Sequence, residues 1–189
     1  MAVKPKTPQP ETPYVPQGRD VFQTPAYATK LLVPYIPKRI EHVWECASGE
    51  GKIAKTLREY NYKTTETDLL HGANFLQDGF PLFILKKYGC IITNPPYSLK
   101  KRFYERCRYH DVPFALLIPA DYSQWIIKTL RCDNAEKIIP ERRIDFVTPS
   151  GKSGKDSAAQ FHSMWLTWGF GIGKSETFVD LTLETKKDI

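Results

Sequence analysis

The sequence predicts a single α/β domain built on a mainly parallel sheet with helices on both faces, and three observations predict it. Through the first two-thirds of the chain, short apolar runs of strand length alternate with stretches whose apolar residues recur at helical spacing, the mark of successive βαβ units. Two of the strands run into distinctive turns, Ala47-Ser48-Gly49-Glu50-Gly51 and Asn94-Pro95-Pro96-Tyr97, and an open α/β sheet places its ligands outside such carboxyl ends. The last third is rich in strands, which suggests a closing antiparallel hairpin.

Residues 1–18 carry many prolines and few apolar anchors and read as a flexible or weakly docked arm, leaving 19–189 as the domain. Residues 25–33 predict a short helix with Thr24 as N-cap and Pro25 at its first position, stopping near Pro34. A strand over 40–46 leads into the glycine turn, and 52–60 follows as a helix with Ile53, Ala54 and Leu57 on one face. Residues 63–68 form a second strand ending on Asp68. Residues 71–80 read as irregular and 81–88 as a short helix before the apolar strand 89–93. A basic helix over 99–109, a strand over 112–119 and a helix over 121–130 capped by Asp121 come next. The remaining predicted strands are 137–139, 144–147, 163–168 and 177–183.

At 189 residues, with 41% hydrophobic and 13% aromatic content, the chain can bury one substantial core. No stretch approaches the roughly 18 consecutive apolar residues that span a bilayer, and the first residues lack the apolar segment of a secretory signal. A cytosolic protein with no membrane partner is expected, or a nuclear one in a host with a nucleus. The four cysteines form no CxxC pair and the four histidines no HxxxH, so buried reduced thiols are expected and no metal site. The formal charge of +6 permits a polyanionic partner. Lys100, Lys101, Arg102, Arg106 and Arg108 follow the Asn-Pro-Pro-Tyr turn, Arg142 and Arg143 form a second cluster, and Lys152, Lys155 and Lys174 a third group. Such runs are usually solvated helix faces. The closeness of the first to the turn favours phosphate contact there, because a nucleic acid is held by its backbone before a base is presented.

The chemistry concentrates in the two turns. Consecutive prolines fix φ and remove two N–H donors, so residues 94–97 offer a ligand carbonyl oxygens, the Asn94 amide and the Tyr97 ring, a set suited to a planar molecule carrying an NH2 group. Asn-Pro and Pro-Pro are also ordinary loop punctuation. Gly49 and Gly51 let backbone approach a ligand closely with a helix N-terminus behind, although a plain strand-to-helix turn needs the same residues. Asp68 ends the next strand within about 20 residues of the glycines, the spacing at which an acid reaches ribose hydroxyls in dinucleotide-type sites. Alone it could equally cap a helix.

Together these residues resemble the S-adenosylmethionine-dependent, DNA-type N6-adenine methyltransferases, particularly the small phage-borne members. Phe22-Gln23-Thr24-Pro25 is similar to the family's methionine-carboxylate motif and Trp44 through Gly51 to its glycine-rich cofactor motif. Asp68-Leu69 is similar to the ribose-binding acid, Asn74-Phe75-Leu76 to the adenine-ring motif, and Asn94 through Tyr97 to the catalytic signature. Arg143-Ile144-Asp145-Phe146 and Phe161-His162-Ser163-Met164-Trp165 extend the likeness weakly. The resemblance implies a Rossmann-like class I methyltransferase fold: a mainly parallel seven-stranded sheet, an antiparallel C-terminal hairpin, and helices on both faces. It implies S-adenosylmethionine as cofactor and DNA, duplex or single-stranded, as partner. Thr24, Pro25, Glu45, Cys46, Ala47, Gly49, Gly51, Asp68, Asn74 and Phe75 would then bind cofactor, and Asn94, Pro95, Pro96 and Tyr97 would be catalytic. Lys100, Lys101, Arg102, Arg143 and Phe161 are the candidates for substrate contact. Two positions depart from the pattern: Cys46 stands where proline is usual, and Asn74 where aspartate is usual, which keeps an acceptor and removes a charge.

An exocyclic amine attacks a sulfonium methyl poorly while its lone pair is delocalised into the ring. The resemblance implies that the Asn94 oxygen and the Pro95 carbonyl accept its two hydrogens and favour the developing positive charge, with Tyr97 stacked on the extruded base. Phe161 is a candidate for the other wall, and a plain core role for Phe161, Trp165 and Trp168 is at least as good a reading. RNA adenine or a protein glutamine would present the same NH2. A methyltransferase-shaped binding module without catalysis would be expected to show damage in one of the two turns, and neither is damaged. With residues 148–160, the basic helix and the arm as the only candidates for duplex readout, sequence specificity is expected to be short or loose, and the protein a monomer or homodimer.

Overall fold

The computed structural model describes residues 22–77, 85, 89–147 and 161–181. Strand β3 (Gly89–Thr93) is buried at every position, and a strand that is apolar on both sides of its pleat has to be covered on both faces. It sits inside a seven-stranded sheet with β1 (His42–Glu45), β2 (Lys63–Glu66), β4 (Phe114–Pro119), β5 (Glu136–Pro140), β6 (Ser163–Trp168) and β7 (Glu176–Val179). The order across the sheet is β2-β1-β3-β4-β6-β5-β7. Parallel pairing joins β2 to β1, β1 to β3, β3 to β4 and β5 to β7. Strand β6 alone runs the other way, antiparallel to β4 on one side and to β5 on the other.

This is the Rossmann-like α/β architecture expected from the sequence, a mainly parallel seven-stranded sheet with helices on both faces and an antiparallel C-terminal pair formed by β5 and β6. Helices α1 (Ala26–Lys30) and α2 (Lys52–Glu59) cover one face, where Tyr27, Leu32, Ile53 and Leu57 pack against Val43, Ile92 and Leu117. Helices α3 (Lys100–His110) and α4 (Gln124–Cys132) cover the other, where Phe103, Cys107 and Ile126 meet Trp44, Ile91 and Leu116. The alternation along β1 and β3 feeds these two cores in turn, which makes the register of both strands unambiguous.

The order reverses between β1 and β3: the chain leaves β1 for β2 on one side and returns to place β3 on the other. That is the topological switch point of an open α/β sheet, where the crevice at the carboxyl ends receives ligands. The glycine turn follows β1 and the Asn-Pro-Pro-Tyr turn follows β3, so the fold brings both to that crevice.

Four expectations change in detail. Helix α1 begins at Ala26 with Pro25 in the N-cap position and therefore no side-chain cap, and the Thr24 hydroxyl accepts from Asn94 instead. Residues 144–147 form no strand; Val147 makes an isolated bridge with Gln23. Helix α4 starts at Gln124, since the Asp121 carboxylate turns back to accept from the Ser123 N–H and hydroxyl at 2.9 and 2.6 Å. Cys46, Cys90 and Cys107 are buried thiols as expected, whereas Cys132, at the end of α4, is exposed. The proline-rich arm, most of the 81–88 helix, the 148–160 segment with Lys152 and Lys155, and residues 182–183 lie outside the described residues. Among the described residues no helix is long and apolar enough to cross a membrane.

Candidate active site

The glycine turn is fastened from three directions. Gly49 donates its N–H to Asp68 Oδ2 at 2.8 Å, while Asp68 Oδ1 accepts from Leu70 N–H at 2.8 Å, so one carboxylate ties the turn after β1 to the turn after β2. Glu50 N–H donates to Gln23 Oε1 at 3.1 Å, and Gly51 N–H to the Ser48 carbonyl at 2.8 Å. Gly49 and Gly51 have φ of 52° and 71°, a region in which an L side chain is strained. A Cβ on Gly49 would lie 2.8 Å from Gln23 Nε2, and one on Gly51 would run into the Glu66 carboxylate. The absence of side chains is thus already required by the protein's own Gln23 and Glu66.

Glu45 lies beneath this turn, 1% exposed. Its Oε2 accepts from Ala54 N–H at 2.8 Å, satisfying one of the orphan donors of the α2 N-terminus that Gly51, with no side chain, cannot cap. Burial pushes the Glu45 carboxyl up to about 8 and outweighs the lowering pull of that N–H. Burial likewise holds the Cys46 thiol well above its ordinary value, so it is an inert core group. Ala47 is half-buried at the start of the turn.

On β3's side, Asn94 donates from Nδ2 to Thr24 Oγ1 at 3.1 Å. Its Oδ1 is buried and accepts no hydrogen bond. A buried acceptor left unmet costs about 1–3 kcal/mol, so the site is primed for a donor. Pro95 is buried and Pro96 half-buried. The half-buried Tyr97 ring meets Phe161 edge-on, with centroids 5.2 Å apart, and Phe146 edge-on at 6.3 Å. Phe161 therefore stands beside Tyr97, while Trp165 and Trp168 belong to the core, with indole N–H groups on the Ala28 and Asp133 carbonyls.

Residues 22–25 link the two turns. Gln23 holds the glycine turn and Thr24 holds Asn94. The Gln23 backbone exchanges two hydrogen bonds with Val147, at 2.9 and 3.0 Å. The Tyr27 phenol oxygen accepts from Asp145 N–H at 2.6 Å, its own pKa raised by burial to about 12. These bonds fasten the segment carrying Phe146 beside Tyr97. Gln23 and Phe146 are site residues that sequence reasoning missed. Both lay inside stretches with a family likeness, but their contacts, Gln23 with Glu50 and Val147 and Phe146 with Tyr97, join residues distant in sequence and leave no local periodicity.

Asn74 Oδ1 accepts from Leu76 N–H at 3.0 Å in an Asx turn. Phe75 packs into the core against Trp44 and Phe103, with centroids 5.3 and 5.0 Å apart. The basic cluster is engaged internally to a large extent. Lys100 pairs with Asp121 at 3.1 Å and exposed Lys101 lies 3.9 Å from Glu105. Arg106 donates to the Phe75 carbonyl at 3.2 Å, and the Arg108 guanidinium lies 3.9 Å from the Trp168 ring centroid. Arg102 is half-buried on α3. Arg142 and Arg143 are exposed in the segment leading to Phe146. The loop that carries Asp121 is pinned by buried Lys137, which pairs with Glu176 at 3.2 Å under the Tyr122 ring. Among the described residues no group of three or more His, Cys, Asp or Glu is placed to hold a metal ion.

No protein-family model matches the chain, and no curated protein does. Among solved structures it is similar to the "putative RNA methyltransferase" of Pyrococcus horikoshii, at 12% identity over 77% of this chain and 84% of that one, with a TM-score of 0.45. A superposition this loose carries no argument about function.

Proposed function

We propose that the protein transfers a methyl group from S-adenosylmethionine to the exocyclic N6 of adenine in DNA. One observation carries the reading: a buried side-chain oxygen, Asn94 Oδ1, accepts no hydrogen bond at the carboxyl edge of the sheet, in the turn that carries the Tyr97 ring and that residues 23 and 24 tie to the glycine turn.

The residues fit such a cofactor. Each Asp68 oxygen accepts one N–H and keeps lone-pair capacity for ribose hydroxyls. Gly49 and Gly51 keep the backbone of the turn free of side chains where a ligand would approach. The bound sulfonium would supply an electrophilic methyl carbon. That methyl would pass to N6 with the sulfur retaining the electron pair of the broken bond, and the surplus N6 proton would leave to solvent. Asn94 Oδ1 and the Pro95 carbonyl accept the two N6 hydrogens, which favours positive charge on nitrogen and so lowers the barrier. Tyr97 offers a face for the extruded base, with Phe161 and Phe146 holding its ring. Arg142 and Arg143, exposed in the segment that leads to Phe146, join the cations of α3 as candidates for phosphate contact.

The test is transfer of tritium from labelled S-adenosylmethionine to DNA, RNA and total protein in parallel. Label in the N6-methyladenine of DNA is expected. Label in RNA or glutamine alone would move the acceptor while keeping the site, and label in none would defeat the reading.

A further inference from the structure

We infer that Thr24 is a positioning residue that decides which end of the Asn94 amide faces the substrate; its catalytic meaning rests on the methyltransferase reading above. A primary amide is two-ended. Oδ1 accepts and Nδ2 donates, and a half-turn about the terminal torsion exchanges them with almost no change of shape. Only one end serves an amine that arrives with hydrogens, because Nδ2 turned toward N6 would set donor against donor.

Three features select the productive end. Nδ2 donates to Thr24 Oγ1 at 3.1 Å, and Oδ1 is left buried with no donor of its own. The prolines at 95 and 96 remove the backbone N–H groups that in an ordinary turn would compete for Oδ1. Thr24 is itself 4% exposed and lies between the Gln23–Val147 bridge and Pro25, so its hydroxyl is held in place. The residue also forgoes the role its sequence position suggests. Helix α1 takes Pro25 as its N-cap and has no side-chain cap, while the neighbouring Thr24 hydroxyl accepts from Asn94.

Thr24→Val keeps the side chain's shape and removes the acceptor; Thr24→Ser keeps the acceptor. With labelled S-adenosylmethionine and the acceptor identified by tritium transfer, Thr24→Val is expected to lower kcat about tenfold, the scale of one orienting hydrogen bond. The cofactor KM should hold, the thermal midpoint should fall by no more than one lost hydrogen bond explains, and Thr24→Ser should recover most of the rate. An unchanged kcat would overturn the inference. So would a raised cofactor KM with kcat retained, which reports a cofactor contact instead. A protein that methylates no acceptor would defeat the functional reading and leave this one testable by NMR. The Asn94 side-chain NH2 pair, identified by its absence from Asn94→Ala, should lose exchange protection at least tenfold in Thr24→Val and keep it in Thr24→Ser. An unaltered pair in Thr24→Val would overturn the inference on its own.

Discussion

The two turns that meet at the switch point are built with opposite chemistry. The glycine turn after β1 is rich in N–H donors and keeps several of them occupied, Gly49 on Asp68, Glu50 on Gln23 and Gly51 on Ser48. The turn after β3 has two prolines without N–H groups and a buried acceptor, Asn94 Oδ1, that is left unmet. One is held by the groups that shape it, so damage there should appear first as lost stability. The other stores an unmet acceptor, so damage there should appear as lost chemistry at little cost to the fold.

The largest effect should come from the second turn. Asn94→Ala is expected to lower methyl transfer by about a thousandfold, with a thermal midpoint equal to or slightly above the parent's, because it deletes a buried acceptor that has no donor. A large fall in the midpoint would break the contrast. Next comes Asp68→Ala, which leaves the Gly49 and Leu70 N–H groups without their acceptor; about 3 kcal/mol of unfolding free energy should be lost in urea titrations. A cost near zero would show that the glycine turn does not depend on that carboxylate.

Gly51→Ala should cost about 1–2 kcal/mol for the left-handed backbone, since Glu66, which would have to move away, is itself paired with Arg58. A further test varies pH. Glu45 has a folded pKa of about 8 against an ordinary 4.5, so the folded state binds more protons than the unfolded one between those values. Its contribution to stability is complete below about pH 4.5, declines as pH rises, and is gone above about 8, at no more than about 1.4 kcal/mol per pH unit. The decline should disappear from unfolding curves of Glu45→Gln, and a parent whose stability rises across that window would contradict the burial argument.

Much of the fold was legible because its signals are local. The run 163–168 reads as a strand and is one, and Ile53, Ala54 and Leu57 show their helical spacing before any partner is known. The site was legible in composition but not in connection. Thr24 sits where an N-cap belongs, and its hydroxyl turns instead to a residue 70 positions away. The cations of α3 read as a phosphate clamp, yet Lys100, Arg106 and Arg108 find partners in Asp121, the Phe75 carbonyl and Trp168. Residues 144–147 have strand-like composition, but the Asp145 and Val147 N–H groups are taken by Tyr27 and Gln23, so they join no neighbouring strand.

The chain by itself determined where strands end in glycine or in proline, and hence which turns can donate and which can only accept, because φ restriction and the loss of an N–H are properties of single residues. Only the tertiary structure decided which of those groups would be consumed internally. A hydrogen bond between Thr24 and Asn94, or a carboxylate shared by the turns after β1 and β2, depends on distances that parallel strand pairing sets and that no local pattern encodes. Asn94 Oδ1 was left over by that process, and it is the atom on which the proposed chemistry depends.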